Sequence, residues 1–200
     1  VSHQDSMRDP FGDMGVNVEA QLSLLEACRK YNQEAVIIFA STRQLYGRPQ
    51  YLPVDENHPV NPPDINGINK LAAEQYHLLY HRVYGLKTAV LRLTNTYGPR
   101  QLIRHHRQGF IGWFINRALT GQPIQLYGGG DQLRDFTYVD DAVEAFLLAA
   151  QTEACWGNVY NLSGDRASLS AVGELLVNLG HANTSLEIVE FPEKKKKIDI

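Results

Sequence analysis

The sequence predicts a doubly wound α/β fold with a smaller C-terminal lobe, on three observations: helical periodicity feeding unbroken β-branched runs, repetition of that unit, and a change of texture after Pro99. From Met14 to Lys30 the residues Val18, Leu22, Leu25 and Cys28 recur at helical spacing, and Ala35-Val36-Ile37-Ile38-Phe39-Ala40 follows as a buried strand. The unit then repeats. Ala72, Tyr76, Leu79 and Val83 mark one face of a second helix, Gly85 supplies its stop, and Thr88-Ala89-Val90-Leu91-Arg92-Leu93 reads as a second buried strand. Crossover helices covering both faces of a sheet require such continuous apolar strands, so the sheet is expected to be parallel.

Beyond Pro99 lie a basic loop (Arg100 to Arg107), an amphipathic helix through Trp113 and Leu119, and a short strand Ile124-Gln125-Leu126-Tyr127 that ends at Gly128-Gly129-Gly130. Asp140-Asp141 suit the start of a helix running to Ala150. Val159-Tyr160-Asn161-Leu162 reads as a strand, and a helix follows from Ser168 to Leu179. The expected organisation is therefore residues 1–99 as part of the doubly wound domain and 100–200 as mainly the smaller lobe, with the helix near 139–151 packing back on the first domain.

Bulk properties exclude several function classes. The 200 residues are 44% apolar, enough for a sizeable core, and a net charge of −3 offers no broad basic surface for nucleic acid. The one dense basic run, Lys194 to Lys197, lacks interleaved aromatics and reads as a solvated tail. Cys28 and Cys155 have neither disulfide-framework nor zinc-site spacing, which fits a reducing cytoplasm. No apolar stretch approaches a membrane span, and the first residues read as neither a signal peptide nor a translation start, so the chain is expected to begin within a longer protein. His77 and His81 lie one helical turn apart without a third ligand nearby and read as ordinary helix residues, so no metal is expected. Trp113, Phe114 and Trp156 read as packing groups, and Tyr138 either packs or lines a nucleobase slot.

Ligands of doubly wound sheets bind beyond the carboxyl ends of strands. Two segments there carry small polar donors: Ser41-Thr42-Arg43-Gln44-Leu45-Tyr46-Gly47 and Thr94-Asn95-Thr96-Tyr97-Gly98-Pro99. With Pro53-Val54-Asp55-Glu56, Asn66-Gly67-Ile68-Asn69-Lys70 followed by Glu74, and Arg134-Asp135-Phe136-Thr137-Tyr138-Val139-Asp140-Asp141, they form an ordered series. In that series the sequence resembles the extended short-chain dehydrogenase/reductase family, which includes sugar-nucleotide 4-epimerases and 4,6-dehydratases. The resemblance runs over nearly the whole chain and implies a Rossmann-like domain followed by a substrate-binding lobe.

The resemblance implies that Thr42 bonds the reacting sugar hydroxyl, with Ser41 beside it. It implies that Lys70 contacts the nicotinamide ribose of NAD or NADP, with Ser41 and Leu93 on the same cofactor side. It places Asn95 and Arg134 on the diphosphate of a sugar nucleotide; an internal ion pair with Asp135 or Asp140 is the alternative role for Arg134. The basic loop residues Arg100, Arg104, His105, His106 and Arg107 either approach phosphates or are solvated.

Two departures stand out. Where the family has a tyrosine four residues before the lysine, this chain has Asn66, which can orient a hydroxyl and has no proton to lose as a general base. Tyr46 is the alternative base at a strand exit, a position that is more often structural. The glycine-rich turn that receives the cofactor pyrophosphate is also missing from the sequence, so this chain alone is expected to bind the dinucleotide weakly or not at all. Arg43-Gln44 stand where the dehydratases carry an Asp-Glu pair, which favours epimerisation over dehydration. The resemblance also implies a homodimer with residues near Leu24 and Tyr76 at the interface. Two readings follow: an NAD(P)-dependent sugar-nucleotide epimerase/dehydratase acting by transient oxidation, or a catalytically inactive, binding-only or scaffold protein.

Overall fold

A computed structural model describes residues 3–104, 109–180 and 183–190, so His105, His106, Arg107 and the Lys194 to Lys197 run lie outside the described residues. The chain divides into two compact units, one running to Thr94 and including Asp141–Leu162, the other comprising Asn95–Asp140 and the segment from Ser163 onward.

The first unit is built on a three-stranded sheet in the order β1-β2-β6, comprising β1 (Val36–Thr42), β2 (Lys87–Leu93) and β6 (Val159–Leu162). Every pairing is parallel, with Phe39 opposite Val90 and Leu91 opposite Tyr160, as the unbroken apolar runs require. Two short helices, α1 (His3–Arg8) and α2 (Pro10–Met14), lead through one π-helical turn at Gly15–Glu19 into α3 (Ala20–Tyr31). The periodicity from Met14 to Lys30 is thus real, but its first turn is widened.

The crossover between β1 and β2 is α4 (Ile65–Tyr84). Its N-cap is Asp64, whose carboxylate accepts from the Gly67 N–H at 2.7 Å and from the Gln44 side chain at 3.2 Å. Gly85, at φ 72°, ends the helix in the left-handed conformation, its N–H donating to the carbonyl of His81. Leu25, Tyr80 and Leu86 close the core between α3, α4 and the sheet, while Phe39, Ala73 and Val90 join α4 to the strands.

The second unit contains β3 (Asn95–Tyr97), α5 (Phe110–Thr120), β4 (Ile124–Tyr127), β5 (Leu133–Tyr138), β7 (Asp165–Ser168), α7 (Leu169–Leu179) and β8 (Leu186–Val189). Strands β3, β5 and β7 form one sheet and β4 and β8 a parallel pair. Phe114, Ala118, Ile124 and Leu126 form its core, with Val172, Leu176 and Leu186 packed against them. Helix α6 (Val139–Gln151) starts at the boundary of the two units and carries Asp140 and Asp141 in its first turn.

Candidate functional site

The C-terminal end of β1 turns directly into a 3-10 turn, Arg43–Tyr46, and Thr42 caps it: its hydroxyl oxygen accepts from the Gln44 N–H at 3.2 Å. That bond leaves the Thr42 hydroxyl proton free to be donated. Thr42 is in register with Leu93, the last residue of β2, so the two strand exits lie side by side. Tyr46 leads into Gly47, at φ 65°, where a Cβ would stand 2.2 Å from the carbonyl oxygen of Asn61; only glycine permits this turn.

Ser41 faces the interior. Its hydroxyl donates to Glu74 at 2.9 Å, and Glu74, fully buried, forms a two-pronged ion pair with Arg92. Arg92 also donates to the Tyr46 hydroxyl at 2.6 Å, which in turn donates to Asn161 at 2.7 Å. Burial works against the Arg92 charge, but the bonds to Glu74 and Tyr46 outweigh it and raise the guanidinium pKa. The Tyr46 phenol is engaged on both sides, as part of a brace between β1, β2 and β6.

Asn66 and Lys70 stand one turn apart on α4. The Lys70 ammonium donates to the carbonyl of Ala40 at 2.8 Å and lies 4.9 Å from the centre of the Phe39 ring. Burial lowers its pKa, opposed by the charge of Asp13. Asp13 is 1% exposed, and its carboxylate accepts from the side-chain amides of Asn66 at 3.0 Å and Asn69 at 2.7 Å. Its backbone carbonyl accepts from the Asn17 amide at 3.2 Å.

The first unit therefore gathers Ser41, Thr42, Lys70 and Leu93 at one end of its sheet, with Asn66 one helical turn before Lys70 on α4 and bonded to Asp13. One ammonium hydrogen of Lys70 is engaged by Ala40, leaving two for vicinal hydroxyls, and the Thr42 hydroxyl lies at a strand exit. This donor set fits the ribose end of a dinucleotide; the Ser41 hydroxyl, committed to Glu74, can add only an acceptor.

The second unit holds the remaining predicted residues. Asn95 donates from its amide to the carbonyl of Asp135 at 2.9 Å, and Arg134, half-buried on β5, donates to the carbonyl of Leu133 at 2.9 Å. Asp135 is paired with Arg166 at 3.3 Å. Residues 96–101 with Val139 line an open cleft of about 220 Å³, and Arg100 takes a left-handed backbone at φ 69° within it. Tyr138 packs edge-on to Tyr97, with ring centres 5.7 Å apart.

His77 stacks on Phe39 at 4.7 Å and meets Gln21 at 3.2 Å, whereas His81 bonds the carbonyl of Leu86 at 2.8 Å, so the two rings have separate partners. Among the described residues no group of three potential ligands gathers around a metal position. Sequence reasoning missed Asp13 and Asn69. The available signal was the pair of amides at positions 66 and 69 on one helix face, which need a shared acceptor if buried.

The sequence profile described as the NAD dependent epimerase/dehydratase family matches residues 2–163. A provisionally named UDP-glucose 4-epimerase of Methanocaldococcus jannaschii is 40% identical over 149 residues, covering 74% of this chain and 48% of that protein. The chain thus spans about half the length of that relative. Among solved structures, a UDP-glucose 4-epimerase of Thermotoga maritima with UDP-glucose superposes with a TM-score of 0.88 at 33% identity, over 99% of this chain and 63% of that one. A UDP-glucose 4-epimerase of Thermus thermophilus in complex with NAD gives 0.83 at 33% identity, over 95% and 62%.

Proposed function

The chain belongs to the NAD-dependent epimerase/dehydratase family, and from that premise we propose that its parent protein is an NAD-dependent sugar-nucleotide epimerase, an isomerase acting on a UDP-hexose of the UDP-glucose type. The observation that carries this reading is Lys70, one turn beyond Asn66 on α4 and anchored on the carbonyl of Ala40, two residues before Thr42 at the exit of β1. When bound, NAD supplies reversible hydride acceptance at a sugar carbon. Lys70 would hold the nicotinamide ribose, with Ser41 and Leu93 flanking it. Thr42 would donate to the reacting sugar oxygen. Asn66 would orient the same hydroxyl. In the second unit, Asn95 and Arg134 would engage the diphosphate, Arg134 through a guanidinium fork that suits phosphate oxygens. The first unit then serves as the cofactor domain and the second as the substrate lobe.

Arg43 and Gln44 support epimerisation over dehydration, because neither side chain can act as the carboxylate pair that eliminates water, and the Gln44 amide is held by Asp64. The test is direct: the full-length protein is incubated with UDP-galactose, and UDP-glucose formation is followed by chromatography. Conversion requiring NAD supports the reading, and conversion to a 4-keto-6-deoxy sugar overturns the epimerase assignment. A second reading is favoured by Asn66 itself, whose amide is committed to Asp13 and cannot take a proton: a protein that binds the sugar nucleotide without turning it over. Calorimetric binding of UDP-galactose without conversion selects that alternative.

Exposed apolar residues Leu24, Ile68 and Val83 on α3 and α4 support a homodimer through these helices. Light scattering of the full-length protein giving a monomer mass would reject it. Two unpaired cysteines suit a reducing cytoplasm, and no helix among the described residues is long and apolar enough to cross a membrane.

A further inference from the structure

We infer that Asp13 is a positioning residue that fixes the Asn66 carboxamide so that its carbonyl oxygen serves as the acceptor for the reacting sugar hydroxyl. The inference rests on the epimerase reading above and adds to it the residue that sets the geometry at the position where the family carries a tyrosine.

The argument begins with donor and acceptor inventory. An ionised carboxylate accepts hydrogen bonds and donates none, so a carboxamide that meets it must present its NH2 group. Asp13 meets two carboxamides, one on each oxygen: Asn66 at 3.0 Å and Asn69 at 2.7 Å. All three side chains are at least nine-tenths buried, so water does not offer the amides an equivalent alternative partner. Asn66 is therefore locked in one of its two flip states, and the group opposite its engaged NH2 is a carbonyl. That carbonyl can accept from a substrate hydroxyl and cannot donate to a ketone.

Position and charge reinforce the assignment. Asp13 lies on α2, and the amide of Asn17 ties the carbonyl of Asp13 to the turn that follows, so the carboxylate is carried on a braced segment. Lys70, one turn after Asn66, is the cation whose charge Asp13 balances, and Lys70 is itself fixed on Ala40. A tyrosine at position 66 would have a hydroxyl to deprotonate. Here the same helical position has a polarised, immovable acceptor, complementary to Thr42, whose hydroxyl remains free to donate. An alcohol that met both groups would be held in one orientation, with Asn66 accepting and Thr42 donating.

The test uses the full-length protein and two variants, Asp13→Asn and the double Asp13→Asn with Asn66→Asp, assayed for UDP-galactose conversion and for thermal stability. A carboxamide at 13 cannot accept from both neighbouring amides on equivalent oxygens, so Asn66 loses its fixed orientation. We expect kcat to fall by roughly 10²-fold, the scale of a small misplacement of a reacting partner, with KM changed much less. The double variant restores a carboxylate-amide pair with its members exchanged. It should recover Tm without recovering kcat, because what faces the substrate is now a carboxylate. Wild-type kcat in Asp13→Asn, or joint recovery of Tm and kcat in the double variant, overturns the inference. If the wild-type protein converts no UDP-galactose, the epimerase reading fails first. The positioning role is then decided by the side-chain amide signals of Asn66 and Asn69 in NMR spectra. Slowly exchanging, separately resolved signals that collapse in Asp13→Asn support it, and signals identical in both proteins overturn it.

Discussion

The two units hold their charged residues in opposite ways. In the first, Glu74 and Arg92 are paired at 0% and 6% side-chain exposure, and Asp13 sits among buried amides, so these charges have their partners inside the unit. In the second, Arg134 is half-buried on β5 and Asp135 pairs with Arg166 at a 60% exposed side chain. The difference teaches what burial demands: a buried charge must have its partners built in, whereas a partly exposed ion pair shares its charge with water and contributes little.

The contrast can be broken most severely at the buried pair. Glu74→Gln leaves the Arg92 charge without its partner, and the full-length protein should lose about 3 to 5 kcal/mol in urea unfolding. Replacing both residues by leucine should cost less than the single change, since no lone charge remains. A loss below about 1 kcal/mol for Glu74→Gln would show that water reaches the pair.

The next effect is one of pH. Burial lowers the His77 pKa from an ordinary 6.5 to about 4. Between those values the unfolded chain binds a proton that the folded chain refuses, so this stabilisation is fully present above pH 6.5 and is lost as the pH falls toward 4. The total is about 3 kcal/mol, and unfolding free energies measured across that window should lose this slope in His77→Leu.

In the second unit, with Arg134 on the diphosphate as proposed, Arg134→Ala should weaken UDP-glucose binding by about 10- to 100-fold, the worth of a charge-assisted bond to phosphate. A fall in Tm without loss of affinity would make Arg134 a brace instead. Arg166→Ala, which removes a surface ion pair with Asp135, should change stability by about 1 kcal/mol at most.

The sequence makes the first unit far easier to read than the second. Strands β1 and β2 appear as apolar runs because helices cover them, and α4 shows both its buried stripe and its glycine stop. Strand β5, Leu133–Tyr138, has one buried residue and mixes charge with aromatics, so no period marks it. The pairing of β2 with β6 joins residues separated by the Asn95–Asp140 segment of the second unit and by α6, a contact that no local pattern can display. At the site, Asn66 and Lys70 stand out because their spacing is local, and Thr42 because it ends an apolar run. Asp13 does not, because its partner Asn66 lies 53 residues away and only folding brings them together.

Helix α4 carries Asn66, Lys70 and Glu74 on successive turns and is locked at both ends, by Asp64 and by Gly85. It behaves as a keyed shaft. One residue inserted between Asn66 and Glu74 would turn the downstream positions by about 100° relative to those before it, breaking the amide anchor, the ammonium contact or the ion pair together. The loop from Gly47 to Pro63 bears no such phase relation. Length variation among relatives should therefore collect in that loop and be absent from the nine residues after Ile65, a pattern that the spacing of this helix dictates.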